Sequence, residues 1–274
     1  MGRGIAQVAA VSGREVRLVD QEVEILEAAR AEIENRLRRA VQKGRLKEST
    51  VEEVQGRITP STDLESACED ADLVLEAVLE QEAVKREVLS TADGSAPAEA
   101  ILASNTSSIS ITWLAGQTGR PEQVVGLHFF NPVPVMDGVE LVRAIQTSDR
   151  TLERAETFAR ALGKKPVRVN DSPGFVSNRV LMPMINEAIF CVMEGVAEPE
   201  EVDAVMELGM AHPMGPLELA DLIGLDVCLS ILEVLHGDLG DDKYRPCPLL
   251  RKMVDAGRTG RKSGRGFYRY PREE

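Results

Sequence analysis

Leu73-Val74-Leu75-Glu76-Ala77-Val78 is a near-continuous apolar run, the pattern of a strand buried on both faces. Strands of that kind sit in parallel sheets covered by helices, so the run requires helices on either side of it in sequence. Downstream, the pattern predicts a helix over 80–91, a strand over 101–104, a helix over 110–116 and a strand over 124–128. Upstream, Ile5, Ala6, Val8, Ala9 and Ala10 have helical spacing within 4–13, and the short strand Val16-Arg17-Leu18-Val19 ends in Asp20. A long helix follows over 22–43, with Ile25, Leu26, Ala29, Ile33 and Leu37 on one face and Gly44 at its C-terminus. A short helix over 50–57 and a brief strand at Ile58-Thr59-Pro60-Ser61 complete the alternation. The fold class is therefore α/β, a doubly wound parallel sheet with helices on both faces.

The alternation stops at a last strand, Pro166-Val167-Arg168-Val169. Beyond it, Val180, Leu181, Met184, Ile185, Ala188, Ile189 and Val192 recur at helical spacing over 177–194, with Pro183 in the first turns. Helices also fit 199–208, 216–234 and 247–256. Two domains are expected, an α/β unit over 1–170 and an all-helical unit over 171–274. The methionines of the second unit read as adaptable core, and its apolar helices exceed what a domain of that size buries alone.

The formal charge of −13, from 32 basic and 45 acidic residues, disfavours nucleic acid and acidic membrane as partners. Aromatic content of 4% leaves little for stacking single-stranded bases. Cys68, Cys191, Cys228 and Cys247 are widely spread, with no metal-ligand spacing, and read as reduced thiols. No stretch approaches the ~18–20 apolar residues of a membrane helix, and the cytoplasm is the expected location.

A dinucleotide-binding unit opens with a strand and then G-x-G-x-x-G at the start of the first helix. Here Met1-Gly2-Arg3-Gly4 falls inside that fingerprint: Gly2 takes the place of its third glycine and Gly4 lies near the next turn. The usual first strand is missing, which is expected to open the sheet and weaken cofactor binding, and suggests a start placed too late or a shortened chain. Asp20, ending the second strand of the usual unit, can accept hydrogen bonds from both adenosine ribose hydroxyls. Its charge would repel a 2′-phosphate, so the cofactor expected is NAD rather than NADP.

Chemistry concentrates in three segments. His128-Phe129-Phe130-Asn131-Pro132-Val133-Pro134 places one of three histidines before a Pro-bounded turn, and Glu140 follows in a strand-like stretch able to fold back beside it. Such an imidazole can take and return an alcohol proton while a carboxylate fixes its tautomer. Ser104-Asn105-Thr106-Ser107-Ser108 follows a strand, where small polar residues can meet a substrate oxygen or nicotinamide. In Asp171-Ser172-Pro173-Gly174-Phe175-Val176-Ser177-Asn178-Arg179, the amide of Asn178 falls a turn into a helix and can donate to a carbonyl or alkoxide. Each segment also has a plainer reading, as a cap, a structural histidine, a solvated glutamate or a surface amide.

Taken jointly, these motifs resemble the L-3-hydroxyacyl-CoA dehydrogenase family, including bacterial 3-hydroxybutyryl-CoA dehydrogenases. The likeness extends through His212-Pro213-Met214-Gly215-Pro216 and Lys262-Ser263-Gly264-Arg265-Gly266-Phe267-Tyr268, and so spans nearly the whole chain. It implies NAD-dependent oxidation of L-3-hydroxyacyl-CoA to 3-oxoacyl-CoA, and the reverse. His128 would be the catalytic acid/base paired with Glu140, while Ser107 and Asn178 position the substrate oxygen. Gly2, Gly4, Asp20, Ala77, Glu80, Lys85, Asn105, Ser107 and Asn131 would surround NAD. Lys43, in the basic group Arg36, Arg38, Arg39, Lys43 and Arg45, would meet coenzyme A phosphates, although a solvated helix face explains that group equally well. A homodimer through the helical domain is also implied. One departure stands out at Asp137-Gly138, where relatives usually carry a basic and a larger apolar residue; it predicts altered substrate affinity with the chemistry retained. Two alternatives stay open: a dehydrogenase of a free hydroxy acid, and a catalytically impaired nucleotide-binding protein.

Overall fold

A computed structural model describes residues 1–44 and 46–271 and divides the chain into two compact units, Met1–Asp171 and Ser172–Glu274. In the first unit, α1 (Gly2–Val11), β1 (Val16–Val19), α2 (Val23–Gln42), α3 (Ser49–Gly56) and β2 (Ile58–Ser61) form one group. Strands β1 and β2 pair in parallel as a two-stranded sheet. A short helix, α4 (Leu64–Cys68), leads into β3 (Leu73–Glu76), α5 (Glu82–Ser95), β4 (Ile101–Ser104), α6 (Ile111–Ala115) and β5 (Val124–Phe129). The unit ends with β6 (Gly138–Arg143), α7 (Asp149–Ala161) and β7 (Lys165–Asn170). These last five strands make one sheet in sequence order, parallel throughout except where β5 meets β6. The architecture is Rossmann-like, as the alternation of strands and helices predicts.

Why these segments fold as they do is visible in their side chains. Helix α1 is built of small residues and serves two cores at once. Ile5 and Ala9 join Ala103, Val125, Leu127 and Leu141 of the larger sheet. Ala6 and Ala10, on the adjoining face, meet Ile33, Leu37, Val51 and Ile58. A helix that must lie close to two layers has no room for larger groups. Leu127 and Leu141 are fully buried, and truncating either to Ala would cost about 2–5 kcal/mol. Side chains of Asp63, Ser110 and Ser148 cap α4, α6 and α7 by accepting from backbone N–H groups one turn on.

The pattern reading passed over α4 and α7. The second has its apolar residues at helical spacing, Leu152, Ala155 and Ala159, but they are diluted by arginine and glutamate on the exposed face.

The second unit is all-helical: α8 (Ser177–Met193), α9 (Pro199–Met210), α10 (Pro216–Ile223), α11 (Leu225–Leu239) and α12 (Pro248–Asp255). Its core joins Met182, Ile185, Ile189, Leu217, Leu232 and Leu250. The single helix expected over 216–234 is in fact two, broken at Gly224, whose φ of 106° only glycine adopts without strain. Two buried aspartates organise the unit. Asp203 accepts from Leu217 N at 2.8 Å and Glu218 N at 2.9 Å, capping α10, and takes the Tyr268 hydroxyl at 2.8 Å. Asp221 accepts from Phe267 N, Tyr268 N and the Tyr270 hydroxyl. A Cβ on Gly266 would overlap the Asp221 carboxylate, so the Gly266-Phe267-Tyr268 motif is a structural latch for the chain's last segment.

Candidate active site

Parallel strands present their carboxyl ends to one edge of the sheet, and that edge is where open α/β sheets take ligands. Glu76 ends β3 and Ser104 ends β4, directly opposite each other in register. His128 lies one residue from the end of the neighbouring β5. The turn 130–137 reverses the chain, so that β6 returns antiparallel with Glu140 directly opposite His128. The pairing that the sequence only permitted is thus fixed by strand register.

The geometry suits proton transfer. Nδ1 of His128 lies 2.8 Å from Oε2 of Glu140, with both side chains largely buried, at 12% and 6% exposure. A carboxylate in that position accepts the Nδ1–H, which leaves the lone pair of the neutral ring on Nε2. Phe130 meets the imidazole edge-on, with ring centroids 5.2 Å apart. On the same face of the hairpin, a Cβ at Gly126 would come within 2.7 Å of Val142 and 3.0 Å of Ile111, so that end is closed. At the other end, a Cβ on Gly138 would meet only the Phe130 ring, at 3.5 Å. The glycine leaves space beside Phe130. Asp137 pairs with Lys165 at 3.1 Å, which partly offsets its negative charge.

Around this pair the structure distributes the other candidates. Gly2 and Gly4 open α1, where a Cβ on Gly2 would touch Ala77 at 3.7 Å. One on Gly4 would come within 3.1 Å of Val133 in the turn after β5. These two glycines let the first turn of α1 lie close to Ala77 after β3 and Val133 after β5. Asp20 is half-buried at the end of β1, its N–H donating to Ser61 and its carboxylate accepting from Glu22 N at 3.3 Å. Asn105 accepts from Phe129 N at 3.0 Å and so ties the serine segment to the histidine strand. Asn131 is exposed, at the start of the turn. Lys164 holds that turn from below, its ammonium donating to the carbonyls of Val133 at 2.6 Å and Met136 at 2.7 Å.

Glu80 precedes α5 and accepts from Thr106 Oγ1 at 2.5 Å, Ser107 N at 2.9 Å and Ser108 N at 3.1 Å. Partial burial would raise its carboxyl, but the Thr106 hydroxyl, the Lys85 charge and the serine donors together bring it down to about 2. Lys85 is 1% exposed and its ammonium is taken up by Glu76 and Glu80. Its charge is thus turned toward these two carboxylates. Glu76 was not picked out from sequence, and Ser104 was named only as the start of the polar segment. The signal was present, since a carboxylate in a strand read as buried on both faces demands a partner.

Two candidates belong to other elements. Asn178 belongs to the second unit, in the first turn of α8, and is 8% exposed. Lys43 is the exposed C-cap of α2. Arg36 pairs with Glu32, and Arg38 with Glu34 and Glu48, whereas among the described residues Arg39 and Lys43 have no ion pair. Arg45 of the same basic group lies outside the described residues.

Comparison with known proteins finds relatives over nearly the full length. Residues 1–172 match the family model "3-hydroxyacyl-CoA dehydrogenase, NAD binding domain", and residues 174–270 match "3-hydroxyacyl-CoA dehydrogenase, C-terminal domain". A probable 3-hydroxybutyryl-CoA dehydrogenase of Bacillus subtilis is 57% identical over 270 residues, covering 98% of this chain and 94% of the relative. The 3-hydroxybutyryl-CoA dehydrogenase of Bradyrhizobium diazoefficiens is 51% identical, covering 98% and 92%. The crystal structure of (S)-3-hydroxybutyryl-CoA dehydrogenase from Ralstonia eutropha superposes with a TM-score of 0.96 at 48% identity, covering 99% of this chain and 96% of that one.

Proposed function

The chain belongs to the 3-hydroxyacyl-CoA dehydrogenase family, and on that premise we propose how its own residues carry out the reaction. The protein is an NAD-dependent enzyme that oxidises 3-hydroxyacyl-CoA substrates and catalyses the reverse reduction. The observation that carries the residue assignment is the 2.8 Å contact of His128 with Glu140 at the ligand-binding edge of the sheet.

The side chains that would hold NAD fit the group. Gly2 and Gly4 let the start of α1 pack closely against Ala77 and Val133, the helix–strand approach that a dinucleotide-binding unit uses beside the diphosphate. The carboxylate of Asp20 is placed to accept from ribose hydroxyls, while Ala77, Asn105 and Asn131 lie at strand ends along the same edge. When bound, the nicotinamide supplies the acceptor for the hydride of the substrate carbon, or its donor in reverse.

The rest is the chain's own work. Neutral His128 takes the C3 hydroxyl proton on Nε2 as the carbon is oxidised, and Glu140 stabilises the imidazolium that forms. The hydroxyl of Ser107 donates to the oxygen as it becomes a carbonyl, and Asn178 is assigned the same task from the second unit. In reduction the imidazolium returns its proton to the alkoxide. The L configuration at C3 is part of this proposal.

For the coenzyme A portion we assign Lys43, supported by its exposure and its lack of an ion-pair partner among the described residues. Lys43→Ala is expected to raise KM for acetoacetyl-CoA about 2- to 5-fold with kcat unchanged, the scale of one exposed charge contact. The same variant should leave KM for a truncated thioester without the nucleotide phosphates unaltered. An equal change for both substrates would remove Lys43 from the site.

Members of the family are typically homodimers that bind acyl-CoA substrates. Here the second unit displays Val180, Leu208 and Met210 at 67%, 88% and 63% exposure, more apolar surface than an isolated helical unit needs to leave in water. We assign the dimer contact to this surface. Leu208→Glu should shift the protein to monomer in sedimentation experiments, and an unchanged dimer would count against the assignment.

A further inference from the structure

Glu76 is the most deeply buried carboxylate in the first unit, its side chain showing no exposed surface, yet nothing in the chemistry above uses it. Burying a charge is costly unless it is paired and fully hydrogen-bonded; besides Val78 N, which donates to Oε2 at 3.2 Å, its side-chain partners lead to one place. One route runs through Ser104, whose hydroxyl donates to Glu76 Oε1 and accepts from Thr106 N at 3.1 Å. The second runs through Lys85, whose ammonium lies 3.1 and 2.9 Å from the two oxygens of Glu76 and 3.1 Å from Glu80. Glu80 in turn receives the Thr106 hydroxyl, the N–H groups of Ser107 and Ser108, the Ser108 hydroxyl and, at 3.4 Å, the Ser107 hydroxyl. Both routes from a single carboxylate end on residues 106–108.

We infer that Glu76 is a positioning residue for the reaction: through Ser104 on one side and Lys85–Glu80 on the other, it fixes the Thr106–Ser108 segment that presents the Ser107 hydroxyl to the substrate oxygen. The inference rests on the role given to Ser107 above. The arrangement explains why a cation is placed where almost no surface remains. Glu80 alone would be drawn toward solvent, since its side chain is 38% exposed. Lys85 gives it a fixed neighbour, and Glu76 neutralises Lys85 from the strand side. With the segment held, only the Ser107 hydroxyl, which rests on Glu80 at 3.4 Å, has to turn to meet the oxygen as it changes character.

The test reads the segment and the reaction separately. In Glu76→Gln, amide hydrogen exchange at Ser107 and Ser108 should quicken at least ~10-fold while the sheet amides keep their protection. At the same time kcat should fall at least ~10-fold with KM for NADH changed far less, the signature of a lost transition-state contact. A Glu76→Leu/Lys85→Met double variant guards against misfolding, because it removes both buried charges together. It should melt close to the wild type yet keep the fast exchange and low kcat, since Glu80 has lost its lysine. Unchanged exchange in Glu76→Gln, or wild-type kcat in the double variant, would overturn the inference. Wild-type kcat in Ser107→Ala would instead count against the role of Ser107, and exchange would still report whether Glu76 holds the segment.

Discussion

Replacing His128 by Ala is expected to lower kcat at least ~10²-fold in both directions, the usual contribution of a positioned general base or acid. The reason is local. Water can occupy the vacated space, but it does not present a lone pair held in place by a buried carboxylate. Cofactor affinity should be little changed, because none of the contacts assigned to NAD involves the imidazole. The measurement is steady-state turnover of acetoacetyl-CoA with NADH, alongside a fluorescence titration of NADH. A variant that binds NADH normally and turns over at the wild-type rate would remove His128 from the mechanism.

Glu140→Gln should be nearly as damaging, with kcat lowered about 10²- to 10⁴-fold, the range expected when the group orienting a catalytic histidine is neutralised. The substitution conserves shape, and β6 is held on both sides by β5 and β7, so the fold should persist. What changes is the proton. A glutamine can offer its N–H to Nδ1, which favours the tautomer carrying hydrogen on Nε2 and leaves no base facing the hydroxyl. The imidazolium also loses its counter-charge at 2.8 Å. Because the two residues act as one unit, the double variant should be little worse than His128→Ala alone. Full additivity, or a Glu140→Gln enzyme of normal kcat, would show that the pair is structural.

How much of this was legible beforehand follows from what each signal depends on. The apolar run at Leu73–Val78 and the alternation around it express local periodicity, so the fold class could be read directly. His128 and Glu140 could be named as partners, but only strand register places them opposite each other. The break at Gly224 was missed because apolar spacing continues across it, while the positive φ that interrupts the helix leaves no trace in hydrophobicity. The pairing of Glu76 with Lys85 was hidden for a different reason. Charged residues are normally solvated, and a buried ion pair formed by residues nine apart on a strand and a helix is a tertiary fact. The pairing of Asp137 with Lys165 is likewise visible only once β6 and β7 are adjacent.

The central claim is that reduction delivers a hydride to C3 of an acyl-CoA while His128 supplies the proton to its oxygen. Incubating the enzyme and acetoacetyl-CoA with NADH deuterated at the transferable C4 position, then analysing the product by mass spectrometry and NMR, tests it most directly. The account predicts 3-hydroxybutyryl-CoA with a single deuterium bonded to C3, formed at least ~10²-fold more slowly by His128→Ala. Product lacking deuterium at C3, or labelled product formed equally fast without the imidazole, would contradict it.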